Sequence, residues 1–166
     1  MVIIRPWKEQ DIAELARVAN NKKLWDNLRD RLPHPYTKND AVEWIRMQSN
    51  ILPITNFCIE VGGKVAGSIG IMPKEDIHRK TAEIGYFLDE DLWGKGIATE
   101  AVKQLMNYIE EHFDFDRLFA GIFEHNTASM RVLEKNGFHL ESVQKNAVIK
   151  NGIIMNEYIW VKLIDH

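Results

Sequence analysis

The chain has 166 residues, of which 45% are hydrophobic and 27% charged, an ordinary globular composition. We therefore expect one domain spanning residues 1–166, with a substantial core. The formal net charge of −3 argues against a nucleic-acid partner held by a general basic surface. No apolar run approaches the roughly 18 residues of a membrane span, residues 1–6 do not resemble a signal peptide, and the single cysteine cannot form an internal disulfide. We expect a cytoplasmic protein.

The first part of the chain predicts one strand and three helical segments. In chain order these are a strand at residues 2–5, helices at 9–20 and 22–31, and a helix that opens at Thr37. Residues 32–36, Leu-Pro-His-Pro-Tyr, cannot be regular structure because two prolines interrupt them. Thr37 and Asp40 have the spacing of a capping box, which predicts the start of the third helix.

The rest of the chain predicts six strands and two helices. They follow as strand 56–61, strand 64–71, strand 83–88, helix 97–112, strand 116–123, helix 126–136, strand 138–144 and strand 153–164. Gly62-Gly63 and Asn151-Gly152 mark two hairpin turns. This order predicts an α/β (α+β) fold, with a mixed sheet of about seven strands flanked by about four helices.

Residues 81–106, TAEIGYFLDEDLWGKGIATEAVKQLM, predict a strand, a glycine turn and a helix. Gly94 and Gly96 permit backbone angles that side chains forbid, and they allow a ligand to approach closely. The first amides of the following helix lack partners within the helix and lie at its positive end, so the turn is a candidate phosphate-binding element. It matches neither a P-loop nor a Rossmann fingerprint, whose third glycine would fall at Thr99. The alternative is a connection whose glycines serve geometry alone.

This stretch resembles motif A of the GNAT N-acetyltransferases, R/Q-x-x-G-x-G/A, with Trp93 in the R/Q place and Gly96 and Ala98 following. Trp at that place is similar to the ribosomal-protein N-terminal acetyltransferases, the Rim-type branch. Residues 126–138, NTASMRVLEKNGF, resemble the family helix N-x-x-[AS]-x-x-[LV]-[YL]-E-K-x-G-F. The resemblance covers nearly the whole chain and implies a mostly antiparallel sheet that splays at its centre.

The resemblance implies acetyl-CoA as cosubstrate and coenzyme A as product. The turn would surround the diphosphate with backbone amides, and its residues are Trp93, Gly94, Lys95, Gly96, Ile97, Ala98 and Thr99. The preceding strand would offer its backbone at Phe87 and Leu88 to the pantetheine arm. Asn126 would bond to the same arm, although its residue type and position alone indicate a helix N-cap.

Two residues are candidates for the chemistry. Glu83 is a carboxylate among apolar strand residues, and the family resemblance implies a general base, acting directly or through water. The alternative for Glu83 is a solvated charge on a sheet edge. Many family members have a Tyr acid at the eighth position from Asn126, where this chain has Leu133. Ser129 lies one turn earlier, where it would steady the leaving thiolate or simply permit close packing.

An acceptor groove is implied by a segment that resembles the Rim-type substrate side. The expected substrate-binding residues are Trp25, Asn27, His34, Tyr36 and Glu83. The six histidines are scattered without metal-ligand spacing, so we expect no metal site. A homodimer is possible by analogy with similar proteins.

The favoured function is transfer of an acetyl group by direct attack of a protein or peptide N-terminal amine. Holding such an amine neutral at pH 7 costs about 1–1.4 kcal/mol, against about 4.6 kcal/mol for lysine. The alternatives are an acetyltransferase of a small amine, such as a polyamine, amino acid or aminoglycoside, and a non-catalytic acyl-CoA-binding sensor.

Overall fold

Seven strands form one mixed sheet, which a computed structural model describes within residues 1–165. In spatial order the strands are β1 (Val2–Arg5), β2 (Asn56–Val61), β3 (Lys64–Pro73), β4 (Thr81–Leu88), β5 (Arg117–Phe123), β7 (Ile153–Leu163) and β6 (His139–Lys150). Every neighbouring pair is antiparallel except β4 and β5, which are parallel. The predicted α/β fold with a mostly antiparallel seven-stranded sheet is confirmed.

Five α-helices accompany the sheet in the part of the chain that is described. They are α1 (Ile12–Ala19), α2 (Lys22–Trp25), α3 (Lys38–Gln48), α4 (Ile97–His112) and α5 (Thr127–Lys135). Apolar side chains of α4 and α5 join the main core on one face of the sheet, and those of α1 and α3 build a second cluster that Phe87 packs against. The amphipathic spacing of each helix explains this placement, since each buries one apolar stripe.

The predicted capping box at the start of α3 is confirmed. The Thr37 side chain accepts a hydrogen bond from the Asp40 amide at 3.1 Å, and the Asp40 carboxylate accepts one from the Thr37 amide at 2.8 Å. This reciprocal pairing satisfies two amides that the helix itself leaves without partners.

Two predicted boundaries are wrong. The helix predicted over residues 22–31 ends at Trp25, because the residues after it turn away to pair with other elements. The strand predicted to end at residue 144 continues to Lys150. Its pairing with β7 is irregular between Gln144 and Val148, and this irregularity with its exposed polar residues hides the alternating pattern.

The sheet opens between β4 and β5. The two strands pair only where Thr81, Ala82 and Glu83 face residues 117–119. Beyond that point β4 continues along β3 and β5 continues along β7. Residues 84–88 therefore have no strand pairing on their β5 side. This is the predicted splay at the centre of the sheet.

Candidate active site

The glycine turn connects β4 to α4 and is open to solvent. Gly94 and Gly96 have φ angles of 75° and 77°, in the left-handed region that favours glycine. A Cβ atom built on either glycine would have no heavy atom within 4 Å. Gly96 is the N-cap of α4 and provides no capping side chain to the first amides of the helix, those of residues 97–99. Open space and free donors at a helix N-terminus fit the diphosphate of coenzyme A.

Trp93 has a structural contact that the sequence does not predict. Its indole nitrogen donates a hydrogen bond to the carbonyl of Leu88 at 2.9 Å, and the Leu88 side chain lies in the main core. The ring therefore ties the glycine turn to the end of β4. Lys95 is exposed beside it.

A pair of hydroxyl groups lies on the α5 side of the sheet. Asn126 caps α5, since its side-chain oxygen accepts from the Ser129 amide at 3.4 Å. The Ser129 Oγ lies 2.6 Å from the Tyr86 Oη, and Tyr86 also donates to the Ser129 carbonyl at 3.1 Å. Leu133 is fully buried in the core. Tyr86 thus places a phenol beside α5, although position 133 of that helix holds a leucine.

The Tyr86 hydroxyl remains protonated over the ordinary pH range. Burial raises the pKa of Tyr86 to about 12, although its hydrogen bond with Ser129 acts in the opposite direction. A neutral phenol can keep donating a hydrogen bond to the serine.

Two carboxylates lie on the face of the sheet opposite to Tyr86 and Ser129. Glu83 is 7% exposed and accepts a hydrogen bond from Arg29. Glu157, on β7, is half-buried and faces Phe123 of β5 in the register of the sheet. Burial raises the pKa of Glu157, which the Arg29 charge lowers and the Glu83 charge raises. Because Tyr86 is three residues beyond Glu83 on β4, its side chain points to the other face.

A small open cavity adjoins Glu157. Its volume is about 190 Å³, and it is lined by Arg29, Asp30, Phe123, Val148, Ile149, Lys150 and Glu157. The loop after α2, the end of β5 and the β6–β7 hairpin meet there. The lining combines apolar surface with charges of both signs.

A family model described as "Acetyltransferase (GNAT) domain" matches residues 1–139. The chain belongs to the GNAT acetyltransferase family. The glycine turn, the splayed sheet and the Asn126 helix are therefore the local features of a GNAT domain in this chain.

Similar proteins support the assignment. YjcK of Bacillus subtilis (strain 168), named a probable N-acetyltransferase, is 47% identical over 74 residues, 45% of this chain and 41% of that protein. YdaF of the same organism is 32% identical over 155 residues, 91% of this chain and 83% of that protein. Its name places it provisionally among the ribosomal N-acetyltransferases. The matches span between 41% and 50% of the length of the first curated relatives.

The fold is also found in solved structures. RimL, a ribosomal L7/L12 alpha-N-protein acetyltransferase solved in complex with coenzyme A, superposes with a TM-score of 0.86 at 24% identity. The superposition covers 99% of this chain and 94% of RimL. At this identity the likeness shows the shared fold.

The loop residues predicted to bind the acceptor lie around the cavity but do not line it in this GNAT chain. Trp25 lies beneath Lys150 and donates its indole hydrogen bond to Leu32, while His34 stacks on its ring. Asn27 is hydrogen-bonded to His125 at 2.7 Å. These residues shape the loop that carries Arg29 and Asp30.

Tyr36, which was predicted to bind the acceptor, lies in the core instead. It is 6% exposed and belongs to the cluster between α1 and α3. Burial raises its pKa to about 12. The structure therefore gives Tyr36 a packing role.

Sequence reasoning did not find Arg29, Lys150 or Glu157. Arg29 and Lys150 lie in polar stretches with no pattern of their own, so only the packed loop and hairpin reveal them. Glu157 did carry a signal, because it precedes the apolar residues 158–161 as Glu83 precedes Ile84. Glu83 and Glu157 are both carboxylates within an apolar strand pattern, and the same pattern makes both of them candidate site residues.

Some classes of site are absent among residues 1–165. No helix there is long and apolar enough to cross a membrane. Within the same range, no three His, Cys, Asp or Glu side chains are grouped in a way that could hold a metal ion.

Proposed function

We propose that this protein is an acetyl-CoA-dependent N-acetyltransferase whose acceptor is the free N-terminal amine of a protein or peptide. The observation that carries the proposal is the arrangement of groups around the opening between β4 and β5. Donors for a diphosphate and a hydroxyl pair lie on one side, and two carboxylates with a cavity lie on the other. GNAT membership and the names of YdaF and RimL support it.

Acetyl-CoA would bind along the α4 side of the opening. The amides of Gly94, Lys95, Gly96, Ile97, Ala98 and Thr99 would hold the diphosphate. A helix N-terminus contributes roughly 0.3–1 kcal/mol toward an anion, and each hydrogen bond to a charged acceptor about 1.5–3 kcal/mol before desolvation. Residues Phe87 and Leu88 would pair with the pantetheine arm along the free edge of β4, and Asn126 would contact the same arm.

The reaction would be a direct attack. The acceptor ammonium loses a proton to the carboxylate side of the site, and its nitrogen lone pair forms a bond to the thioester carbonyl carbon. The carbon–sulfur bond then breaks, and coenzyme A leaves toward the Ser129 hydroxyl, which donates to the sulfur. The only thiol of the chain, Cys58, is buried, and burial raises its pKa to about 12, so a covalent enzyme intermediate on it is disfavoured.

The cavity favours a short end of a chain over a bulky amine. Its volume of about 190 Å³ is smaller than that of a typical pocket for a drug-sized ligand, which is about 300–1,000 Å³. An N-terminal residue could enter while the remainder of the peptide extends through the open mouth. An α-amine also reaches its neutral form at lower cost than a lysine side chain.

A panel of acceptors tests this function. The purified protein is incubated with acetyl-CoA and peptides with free N-termini, the same peptides with blocked N-termini and internal lysine, a polyamine, free amino acids and an aminoglycoside. Thiol release and mass spectrometry identify the product. We expect acetylation of free N-termini and none of blocked peptides.

Two results would contradict the proposal in different ways. Acetylation of the polyamine, amino acid or aminoglycoside alone would replace the acceptor class but keep the reaction. Tight binding of acetyl-CoA by calorimetry without transfer to any amine would indicate an acyl-CoA sensor.

A further inference from the structure

Glu157 is a carboxylate without a direct partner. Within residues 1–165 its side chain makes no hydrogen bond and no ion pair, although it is half-buried and lines the cavity. A buried or half-buried charged group normally has a partner, because desolvation without compensation is costly. An unpartnered carboxylate of a residue that lines a cavity is therefore a group that a ligand can satisfy.

Glu83 is in the opposite situation. It is nearly fully buried, and its carboxylate already accepts a hydrogen bond from Arg29. Its Oε2 atom is held by a permanent cation, so taking a proton from an amine at that oxygen would weaken the charge pair, although the Arg29 side chain is itself 52% exposed. Glu83 also does not line the cavity, whereas Arg29 does.

We propose that Glu157 is the catalytic residue that receives the proton of the acceptor amine, and that Glu83 is a positioning residue that holds Arg29 at the cavity. This inference rests on the proposed acetyl transfer, and it gives the two carboxylates different roles in that reaction. It changes the expectation that Glu83 is the base.

The proton balance is complete with these groups. The acceptor ammonium transfers one proton to the Glu157 carboxylate, and the freed lone pair forms the carbon–nitrogen bond. The electron pair of the breaking carbon–sulfur bond leaves with sulfur. A second proton, lost from nitrogen as the amide forms, reaches sulfur through Ser129. The proton on Glu157 returns to water through the open cavity.

Gly121 makes room for the carboxylate. A Cβ atom at Gly121, on β5, would lie 2.6 Å from Glu157 Oε2 and 2.9 Å from its Cδ. Any larger residue would push the Glu157 side chain aside. The absence of a side chain at this position therefore determines where the carboxylate sits.

Burial raises the proton affinity of this base, and the surrounding charges act on it in both directions, since Arg29 lowers the pKa of Glu157 and Glu83 raises it. Arg29, Glu83, Asp30 and Lys150 face the same region, and Lys150 is paired with Asp30 at 2.8 Å. Burial raises the pKa of Glu157 above the ordinary value of 4.5. A base with a raised pKa accepts a proton from an amine more readily than an ordinary glutamate does.

Three substitutions test the assignment in the full chain. In Glu157→Gln, which keeps the shape of the side chain, we expect kcat/KM for an N-terminal peptide to fall by about 100-fold or more. Glu157→Asp should retain roughly tenfold more activity than Glu157→Gln, because the charge remains. In Glu83→Gln the loss should be roughly tenfold less severe than in Glu157→Gln, since the base remains.

The pH profile is a readout that a merely structural role would not move. In the unaltered protein, the acidic limb of kcat/KM should report the ionisation of Glu157, at a pKa above 4.5. Glu157→Gln should remove that limb, whereas Glu83→Gln should only shift it. Calorimetry should show unchanged acetyl-CoA affinity in both variants.

Gly121→Ala provides a second test, because it displaces the Glu157 carboxylate without removing any ionisable group from the chain. We expect its kcat to fall about tenfold with acetyl-CoA affinity intact.

The inference is overturned, with the proposed function kept, if the unaltered protein acetylates peptides and Glu157→Gln is nearly as active while Glu83→Gln is not. If the unaltered protein transfers acetyl to no amine, the proposed function and this inference both fail.

Discussion

At the residue scale, the Tyr86–Ser129 pair shows which tyrosine approaches α5 in a chain that has Leu133 where many family members have a tyrosine acid. The family's tyrosine is missing from the helix, and the leucine in its place is sealed in the core. A tyrosine from β4 instead reaches the same helix, with its oxygen 2.6 Å from Ser129 Oγ. The phenol has one proton, which it donates either to the Ser129 carbonyl or to Ser129 Oγ. When it is donated to Oγ, the serine hydroxyl is free to donate to the leaving sulfur.

Tyr86→Phe removes only that hydroxyl. We expect kcat to fall about tenfold, with the KM for acetyl-CoA unchanged, because a donor that steadies the leaving group acts on the transition state. Steady-state kinetics checks this. Combined with Ser129→Ala, the loss should be less than the product of the single losses, since the two hydroxyls act as one unit.

Tyr108→Phe is the matched control for Tyr86→Phe. Tyr108 also donates its hydroxyl, to the Ile54 carbonyl at 2.7 Å, but far from the site. Both variants should lose about 1 kcal/mol of unfolding free energy. Equal kcat values in the two variants would remove Tyr86 from the chemistry.

At the element scale, the glycine turn depends on backbone angles and not on side-chain contacts. Gly96 occupies the left-handed region and is also the N-cap of α4. The strand before it ends where its partner β5 has already separated, so the turn projects into open space. Local sequence determines this element almost completely.

Gly96→Ala should weaken acetyl-CoA binding at least about tenfold, because the new methyl group would occupy the space over the helix amides. The left-handed backbone angle should also cost about 1–2 kcal/mol of stability. Calorimetry measures the first effect and thermal unfolding the second.

Gly63→Ala separates the two effects. Gly63 has a φ of 79° and equally open surroundings, but lies in the β2–β3 turn. It should share the loss of stability and keep normal acetyl-CoA affinity. The same weakening in both variants would mean that strain, and not the turn, governs binding.

At the scale of the whole molecule, a buried lysine connects the β6–β7 hairpin to the loop after α2. The Lys150 side chain is 2% exposed, with Nζ 2.8 Å from Asp30 and 3.2 Å from the Trp25 ring centroid. Asn151 adds a hydrogen bond to Asp26 at 2.9 Å. These contacts hold together two of the walls of the cavity beside Glu157.

Lys150→Met keeps the length of the side chain and removes its charge. We expect a loss of about 1–3 kcal/mol of unfolding free energy, from the desolvated cation–π contact and the hydrogen bond to Asp30. The KM for the peptide acceptor should rise while acetyl-CoA affinity stays the same. Chemical denaturation and kinetics measure these.

Lys22→Met is the corresponding surface change. Lys22 approaches the same Trp25 ring at 5.9 Å and pairs with Asp26, but its side chain is 62% exposed. An exposed pair contributes about 0–1 kcal/mol, so this variant should be nearly normal. Matching effects in the two lysine variants would show that the hairpin contact does not shape the acceptor side.

The sequence by itself determined the seven strands, the start of α3, the glycine turn and Asn126 as the cap of α5. Each of these depends on residues that are close together in the chain, through alternation, helical spacing, capping or left-handed glycines. Glu83 could be singled out for the same reason, as a carboxylate inside a local apolar pattern.

Only the tertiary structure decided which side chains meet. Glu83 with Arg29, Tyr86 with Ser129 and Lys150 with Asp30 are pairs separated by 54, 43 and 120 positions. No local pattern encodes such distances, because they follow from how the sheet splits and how the hairpin folds back. The division of work that we propose between Glu83 and Glu157 depends on the position of Arg29, and that position is set by packing.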